Sequence, residues 1–307
     1  MVTLIIEKIV MMFLILMLGV LCYKKNFLDD GTSVNLSNFL LMIVNPLVIF
    51  VSYQIPFDEA RFHNLLLTLL LSLVAFAVQI VLVHLIIPGR KNGNAAIERL
   101  SAIYGNCGFI GIPLINSLFG REGVFYMTAY LTVFYLYFWT HGVIIMAGKS
   151  DLKSTLKNLL SPAIVGVVLG LICFLAQIRL PDVIVSAMDS VGSMNTPLAM
   201  LVAGATLGKS DLKVCLRNKR IYWICFLKLI LVPAAAMLML LPLHLTSTVV
   251  MTLLVACACP IGACCTMFSL KFKGDGQYAS EMFAVSTVLS AVTIPFLVFF
   301  TEQLGIL

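Results

Sequence analysis

The chain has 307 residues, of which 61% are hydrophobic and 11% charged, with a mean hydropathy of +1.06. A water-soluble domain would be nearer half apolar and a quarter charged, so a soluble fold is excluded and an integral membrane protein is indicated. The formal charge of +6 does not mark a nucleic-acid binder, because the basic residues are spread over short loops and form no basic groove.

In chain order there are ten apolar segments of about twenty residues, long enough to cross a hydrocarbon core ~30 Å thick. They are 4–23, 34–53, 63–87, 97–119, 123–147, 159–177, 183–207, 219–241, 246–270 and 278–301. The run from Leu4 to Cys22 is too long for a signal-peptide core and lacks a small-residue cleavage site, so it reads as a retained span. Segment 2 carries Asn45-Pro46-Leu47. Segment 4 is interrupted by Tyr104-Gly105-Asn106-Cys107-Gly108-Phe109-Ile110-Gly111-Ile112-Pro113. Segment 5 holds Phe134, Tyr135, Tyr137, Phe138 and Trp139, a packing and interface stripe in which Tyr135 is a candidate pocket residue. Segment 7 contains Asp189 and then Asn195-Thr196-Pro197-Leu198, and segment 8 contains Lys228. Segment 9 is interrupted by Ala258-Cys259-Pro260-Ile261-Gly262-Ala263. Turn residues such as Asp29-Asp30-Gly31, Pro88-Gly89 and Gly274-Asp275-Gly276 close the connections, and no loop is long enough for a soluble domain.

The basic residues set an orientation. Lys24, Lys25, Arg90, Lys91, Arg99, Lys149, Lys153, Lys157, Lys209, Lys213, Arg217, Lys219, Arg220, Lys271 and Lys273 fall on one side, against Lys8, Arg61, Arg121 and Arg179 on the other. The first side is expected to be cytoplasmic, facing anionic lipid. Both termini are then extracytoplasmic and the protein is a multi-pass component of the cell membrane. Most of the nine cysteines lie inside apolar segments, where Cys behaves as a small hydrophobe. The four His residues are scattered, so neither a metal site nor a cofactor is expected.

The chain repeats itself. Asn45-Pro46-Leu47 with Asp58 pairs with Asn195-Thr196-Pro197-Leu198 with Asp211, and Phe119-Gly120-Arg121-Glu122-Gly123-Val124-Phe125 pairs with Phe272-Lys273-Gly274-Asp275-Gly276-Gln277-Tyr278, all at offsets of 150–153 residues. A repeat of five spans inverts its second copy. The expected fold is therefore all-α, with ten transmembrane helices as two inverted five-helix repeats, residues 1–148 and 159–307. The short cytoplasmic connection is 149–158, and helices 4 and 9 are broken by Pro and Gly and cross. Broken helices expose N–H and C=O groups that lipid cannot satisfy, so such breaks survive where they line a cavity. A matched pair of them points to a transporter's binding site. Half-helix N-termini there suit an anion.

At these residues the chain resembles the auxin efflux carrier family, which includes the plant PIN carriers and their shorter bacterial relatives. Asn106-x-x-x-x-Gly111-Ile112-Pro113-Leu114 looks like the family's fourth-helix crossover, and Pro260-x-Gly262 like its ninth. Ala199-Met200-x-x-x-Ala203-Gly204 through Gly208 looks like its seventh helix, and Asn45-Pro46-Leu47 like its second. The resemblance implies a scaffold of helices 1, 2, 6 and 7, often dimeric, and a transport body that carries organic anions by an elevator-like motion. It implies that Asn106 contacts a substrate carboxylate. Around Pro260 the chain departs from the plant pattern, with Ile261, Ala263, Cys264 and Cys265 in place of more polar residues, and the plant carriers' long cytoplasmic loop is absent.

The expectation is a secondary transporter, not an enzyme, for a small organic anion such as a carboxylate. The site would comprise Gly105, Asn106, Cys107, Gly108, Pro113, Pro260, Ile261, Gly262, Asn45, Asn195 and Tyr135. Each Asn also has a plainer reading as a helix–helix hydrogen-bonding residue. Lys228 and Asp189 are candidates for proton coupling; Lys228 has the competing reading of a side chain that snorkels to the inner surface. Protons or sodium would serve as coupling ion and a homodimer is expected. The rival with the same layout is a sodium-coupled organic-anion symporter of the bile acid carrier type. A channel would need a continuous polar stripe, and the sequence offers isolated polar points. An intramembrane enzyme would need a base beside the thiols near Pro260, and segment 9 has no His within 246–270.

Overall fold

The computed structural model describes residues 2–89, 94–148, 160–209, 218–243 and 245–304. The connection 149–158 lies outside the described residues, as do Arg90, Lys91, Lys149, Lys153, Lys157, Lys213, Arg217 and Asp211. Among the described residues every regular element is helical, and β structure is limited to an isolated bridge between Gly105 and Ile261.

The first half comprises α1 (Val2–Lys24), α2 (Asp30–Phe39), α3 (Asn45–Ser52), α4 (Glu59–Ile86), α5 (Ala95–Ile103), α6 (Ile112–Tyr137) and α7 (Val143–Ala147). The second comprises α8 (Pro162–Leu175), α9 (Asp182–Gly192), α10 (Asn195–Lys209), α11 (Lys219–Phe226), α12 (Val232–Leu240), α13 (Ser247–Ala258), α14 (Ala263–Lys271) and α15 (Gly276–Gln303). Six stretches are long and apolar enough to cross a membrane: 6–24, 30–52, 59–86, 107–147, 219–243 and 276–303. α8 and α13 are apolar but shorter.

The departures from ten uniform spans have local causes. Residues 107–147 are continuously helical by hydrogen bonding, yet a straight rod of that length would be roughly 60 Å at 1.5 Å per residue. The chain instead turns at Gly120, whose φ of +58° and ψ of −145° are non-helical and favour glycine. Expected segment 7 divides into α9 and α10 just ahead of Pro197, and segment 9 divides into α13 and α14 around Pro260. Of four π-helical segments among the described residues, three (Leu40–Val44, Cys107–Gly111 and Leu227–Leu231) run directly into a helix with Pro46, Pro113 or Pro233 in its first turn; the fourth, Phe138–Gly142, leads into α7 without a Pro. Proline lacks an N–H and its ring crowds the carbonyl four residues back, so the ladder widens there. The polar turns act as caps. Asp29, Asp58 and Asp275 accept from the backbone of Thr32, Ala60 and Tyr278 at 2.7, 2.7 and 2.9 Å. The bond from Thr32 holds the Asp29 carboxyl below its usual range.

Small residues bring helices together. Gly19 of α1 lies directly against the Leu201 backbone of α10, and Gly204 of α10 against the Leu16 backbone of α1. Gly166 of α8 lies likewise against the Pro46 backbone, and Gly170 of α8 makes room for the Tyr53 ring. In lipid, where apolar burial drives little association, such close backbone approach supplies the dispersion contacts that hold helices together. α1, α4, α8 and α15 turn apolar side chains outward, including Leu14, Leu70, Leu169 and Val292. At the other extreme Glu98 of α5 is 2% exposed, accepts two bonds from Arg220 of α11 at 2.9 and 2.6 Å, and accepts a third from Tyr278 of α15 at 3.1 Å. A buried carboxylate is tolerable only with such complete pairing.

Candidate functional site

The two sequence breaks meet. α5 ends at Ile103 and the chain resumes helix at Cys107, while α13 ends at Ala258 and resumes at Ala263. Between them the strands of backbone pair antiparallel: Asn106 N–H donates to the Pro260 carbonyl at 2.7 Å, and Gly262 N–H donates to the Tyr104 carbonyl at 3.0 Å. Ile261 N–H is satisfied by the hydroxyl of Ser286 from α15 at 3.0 Å. Pro260 has no N–H to satisfy, which suits it to this buried position. The backbone groups that a broken helix leaves bare are thus paired across the break rather than exposed to lipid.

Glycine permits the approach. A Cβ on Gly105 would stand 3.1 Å from the Cys259 carbonyl oxygen and 3.1 Å from Lys228 Nζ; one on Gly262 would stand 3.1 Å from the Gly105 carbonyl oxygen and 2.7 Å from Cys264 Sγ. The N–H of Gly262, expected as a ligand donor, is already committed to Tyr104, so the donors of the second half-helix begin in its first turn, at Ala263 and Cys264. On the other side the first turn after Asn106 presents Cys107 and Gly108, while Ile110 and Gly111 already donate to the Asn106 carbonyl.

Asn106 is 7% exposed and its Nδ2 has no hydrogen-bond partner. Asn45, the first residue of α3, is 2% exposed with Oδ1 unpartnered, and its Nδ2 would lie 3.7 Å from a Cβ on Gly108. Asn195, the first residue of α10, is 2% exposed with both amide atoms unpartnered, and α10 packs on the segment Cys107–Gly111. Buried polar atoms without partners are rare in folded proteins, and each calls for an explanation such as a ligand. Three of the sequence candidates are therefore orphaned amides around one break. Tyr135 is half-buried within electrostatic range of Cys264 and Cys107. Cys107 itself turns its thiol to the Ala256 carbonyl at 3.3 Å. Pro113 is buried in the first turn of α6.

The two charged candidates part company. Lys228 does not snorkel: it is 0% exposed, and Nζ donates to the carbonyls of Ile103 at 3.3 Å and Cys257 at 3.2 Å. Asp189 is far from buried, with a side chain 45% exposed that pairs with Arg121. It lines a cavity of about 220 Å³ with Arg121, Asn116 and Ser193. On the opposite side a larger cavity of about 590 Å³ opens between α1, α2, α10, α14 and α15. Its wall includes Tyr23, Asp30, Lys209, Thr266 and Glu281, and Thr266 is one turn into α14.

The family model described as membrane transport protein matches the chain twice, over residues 4–154 and again over 149–298. The chain belongs to this family of auxin efflux carrier-type membrane transport proteins. A comparison with curated proteins returns no match. The membrane transport protein family is a transporter family, not an enzyme family, and membership agrees with a multi-pass helical chain. Both copies of the match contain one of the paired breaks. Among the described residues no group of three or more His, Cys, Asp and Glu side chains is placed to hold a metal ion.

Sequence reasoning missed Ser286, Gln79 and the Glu98–Arg220–Tyr278 cluster of this membrane transport protein. Gln79 is 1% exposed, donates to Cys257 Sγ at 3.5 Å and has an unpartnered Oε1. A weak signal for it existed: Gln79 and Lys228 stand 149 positions apart, one short of the 150–153 repeat offset, and both touch Cys257.

Proposed function

We propose that this chain is a secondary transporter for a small organic anion, a mono- or dicarboxylate, held at the crossover. The observation that carries the reading is the antiparallel pairing of two broken helices beside the orphaned amide of Asn106. Half-helix N-termini provide N–H donors and positive dipole ends. The Asn106 amide adds donors without titrating. Asn45 and Asn195 extend the polar wall.

In this reading the helices form ten spans in two inverted five-helix repeats, 1–148 and 159–307, with both termini outside the cytoplasm of the cell membrane. α1 with α10 and α3 with α8 make the scaffold, through which a homodimer assembles, and the crossed helices move against it in an elevator. The larger cavity sits on the side richer in Lys and Arg, and the smaller one carries the Arg121–Asp189 pair. That asymmetry supports a conformation open to the cytoplasm.

The test is uptake of radiolabelled mono- and dicarboxylates into proteoliposomes, with thermal unfolding of the same protein. A carboxylate taken up by the parent and bound far more weakly by Asn106→Ala, with folding intact, supports the assignment. Equal kinetics in the two proteins removes Asn106 from the site. Absence of uptake for every carboxylate removes the substrate class. Sodium dependence of uptake separates this reading from a symporter of the bile acid carrier type.

A further inference from the structure

Lys228 is a buried charge that anion binding by Asn106 does not use. It sits in the π segment Leu227–Leu231, ahead of Pro233, where the widened ladder turns the side chain into the crossover. Its two acceptors, Ile103 and Cys257, are the last residue of α5 and the penultimate residue of α13. Both half-helices stop at the crossover. Their final carbonyls have no intrahelical donor, and their dipoles place partial negative charge at the same point. Two like ends converging in an apolar interior repel unless a cation lies between them. Among the described residues no carboxylate is ion-paired with Lys228; its ammonium donates to these two carbonyls and lies against Gly105, where a Cβ would stand 3.1 Å from Nζ.

In broken-helix transporters, unwound carbonyls and half-helix C-terminal ends are where a free coupling cation binds. We propose that the Lys228 ammonium fills that position permanently as a tethered cation, so that this carrier binds no sodium at the crossover and needs none to work. The geometry leaves the cation on the C-terminal side of the break and the anion on the N-terminal side. The inference rests on reading the crossover as the transport site, but its test needs no substrate.

The experiment is thermal unfolding of the purified protein in rising NaCl against equal choline chloride, for the parent, Lys228→Arg and Lys228→Ala. Direct binding of radioactive sodium to the parent runs alongside. The expected result is identical midpoints in the two salts for the parent and the Arg variant. Lys228→Ala should melt lower in choline and recover saturably with sodium, which then occupies the vacated carbonyls. Saturable sodium binding or sodium-specific stabilisation of the parent overturns the proposal. So does a Lys228→Ala protein that melts at the parent's temperature in both salts. Should the alanine variant fail to fold, the parent's sodium binding decides alone: none supports the tethered cation, and saturable binding ends it. A sodium-silent parent that also binds no carboxylate would refute the anion reading while leaving the role of Lys228 standing.

Discussion

The two breaks make the same backbone contact from opposite chemistry. The first places the amide of Asn106 and the bare flank of Gly105 at the crossover, with an orphaned Nδ2 and a lysine ammonium close by. The second offers Pro260, Ile261, Gly262 and thiols, and its backbone is spent on structure: the Pro260 carbonyl on Asn106, the Gly262 N–H on Tyr104, the Ile261 N–H on Ser286. The difference teaches that a matched pair of breaks need not share duties. In the proposed reading the first break adds a side-chain amide to its backbone donors, whereas the second contributes backbone alone, from Ala263 and Cys264 onward.

The comparison breaks most completely if the pairing itself is removed. Gly105→Val or Gly262→Val forces branched side chains into contacts already near 3.1 Å. Overpacking of this kind costs about 1–3 kcal/mol. Both variants should melt well below the parent and lose transport together, as read by thermal unfolding and uptake. The next effect separates the breaks. Asn106→Ala should weaken carboxylate binding by about 1.5–3 kcal/mol, roughly ten- to a hundredfold, the worth of a hydrogen bond to a charged group. Its unfolding midpoint without ligand should barely move; titration calorimetry checks the first part and melting the second.

Ser286→Ala is the mirror experiment. It strands the buried Ile261 N–H, at a cost of about 1–3 kcal/mol, while leaving the amides of Asn106, Asn45 and Asn195 in place. Stability should fall and carboxylate affinity should hold; the reverse pattern would move recognition to the second break. Smallest is Arg121→Gln. The Arg121–Asp189 pair is roughly half exposed, so its loss should change stability by less than about 1 kcal/mol. A large change in uptake with unchanged stability would identify the pair as a gate and not a surface contact.

Much of this was legible in residue order. The breaks at Gly105-Asn106 and Pro260-Gly262 were visible because Gly and Pro interrupt apolar runs, and their relation because landmarks recur at one offset. The family followed from the same residues. What stayed hidden depends on which way a helix faces. Lys228 reads equally as a snorkelling or an inward charge until the π segment before Pro233 fixes its direction. Asp189 lies in an apolar run yet emerges into an ion pair, because the break at Ser193–Met194 ends α9 near its partner. Glu98 and Arg220 stand 122 positions apart, and only packing brings them together. The commitments of the Gly262 and Ile261 N–H groups were hidden for another reason: a backbone carbonyl such as that of Tyr104 carries no residue signature, and Ser286 lies on a different helix.

The pairing between Tyr104, Asn106, Pro260 and Gly262 also has a consequence in time. Its members are made far apart, and a ribosome adds about 5–20 residues per second. The first break is therefore in place roughly ten to thirty seconds before its partner exists. Through that interval lipid offers the nascent backbone nothing to bond with. Birth of the molecule thus contains an obligatory wait, during which the insertion machinery, and not the bilayer, must shelter the newborn first half.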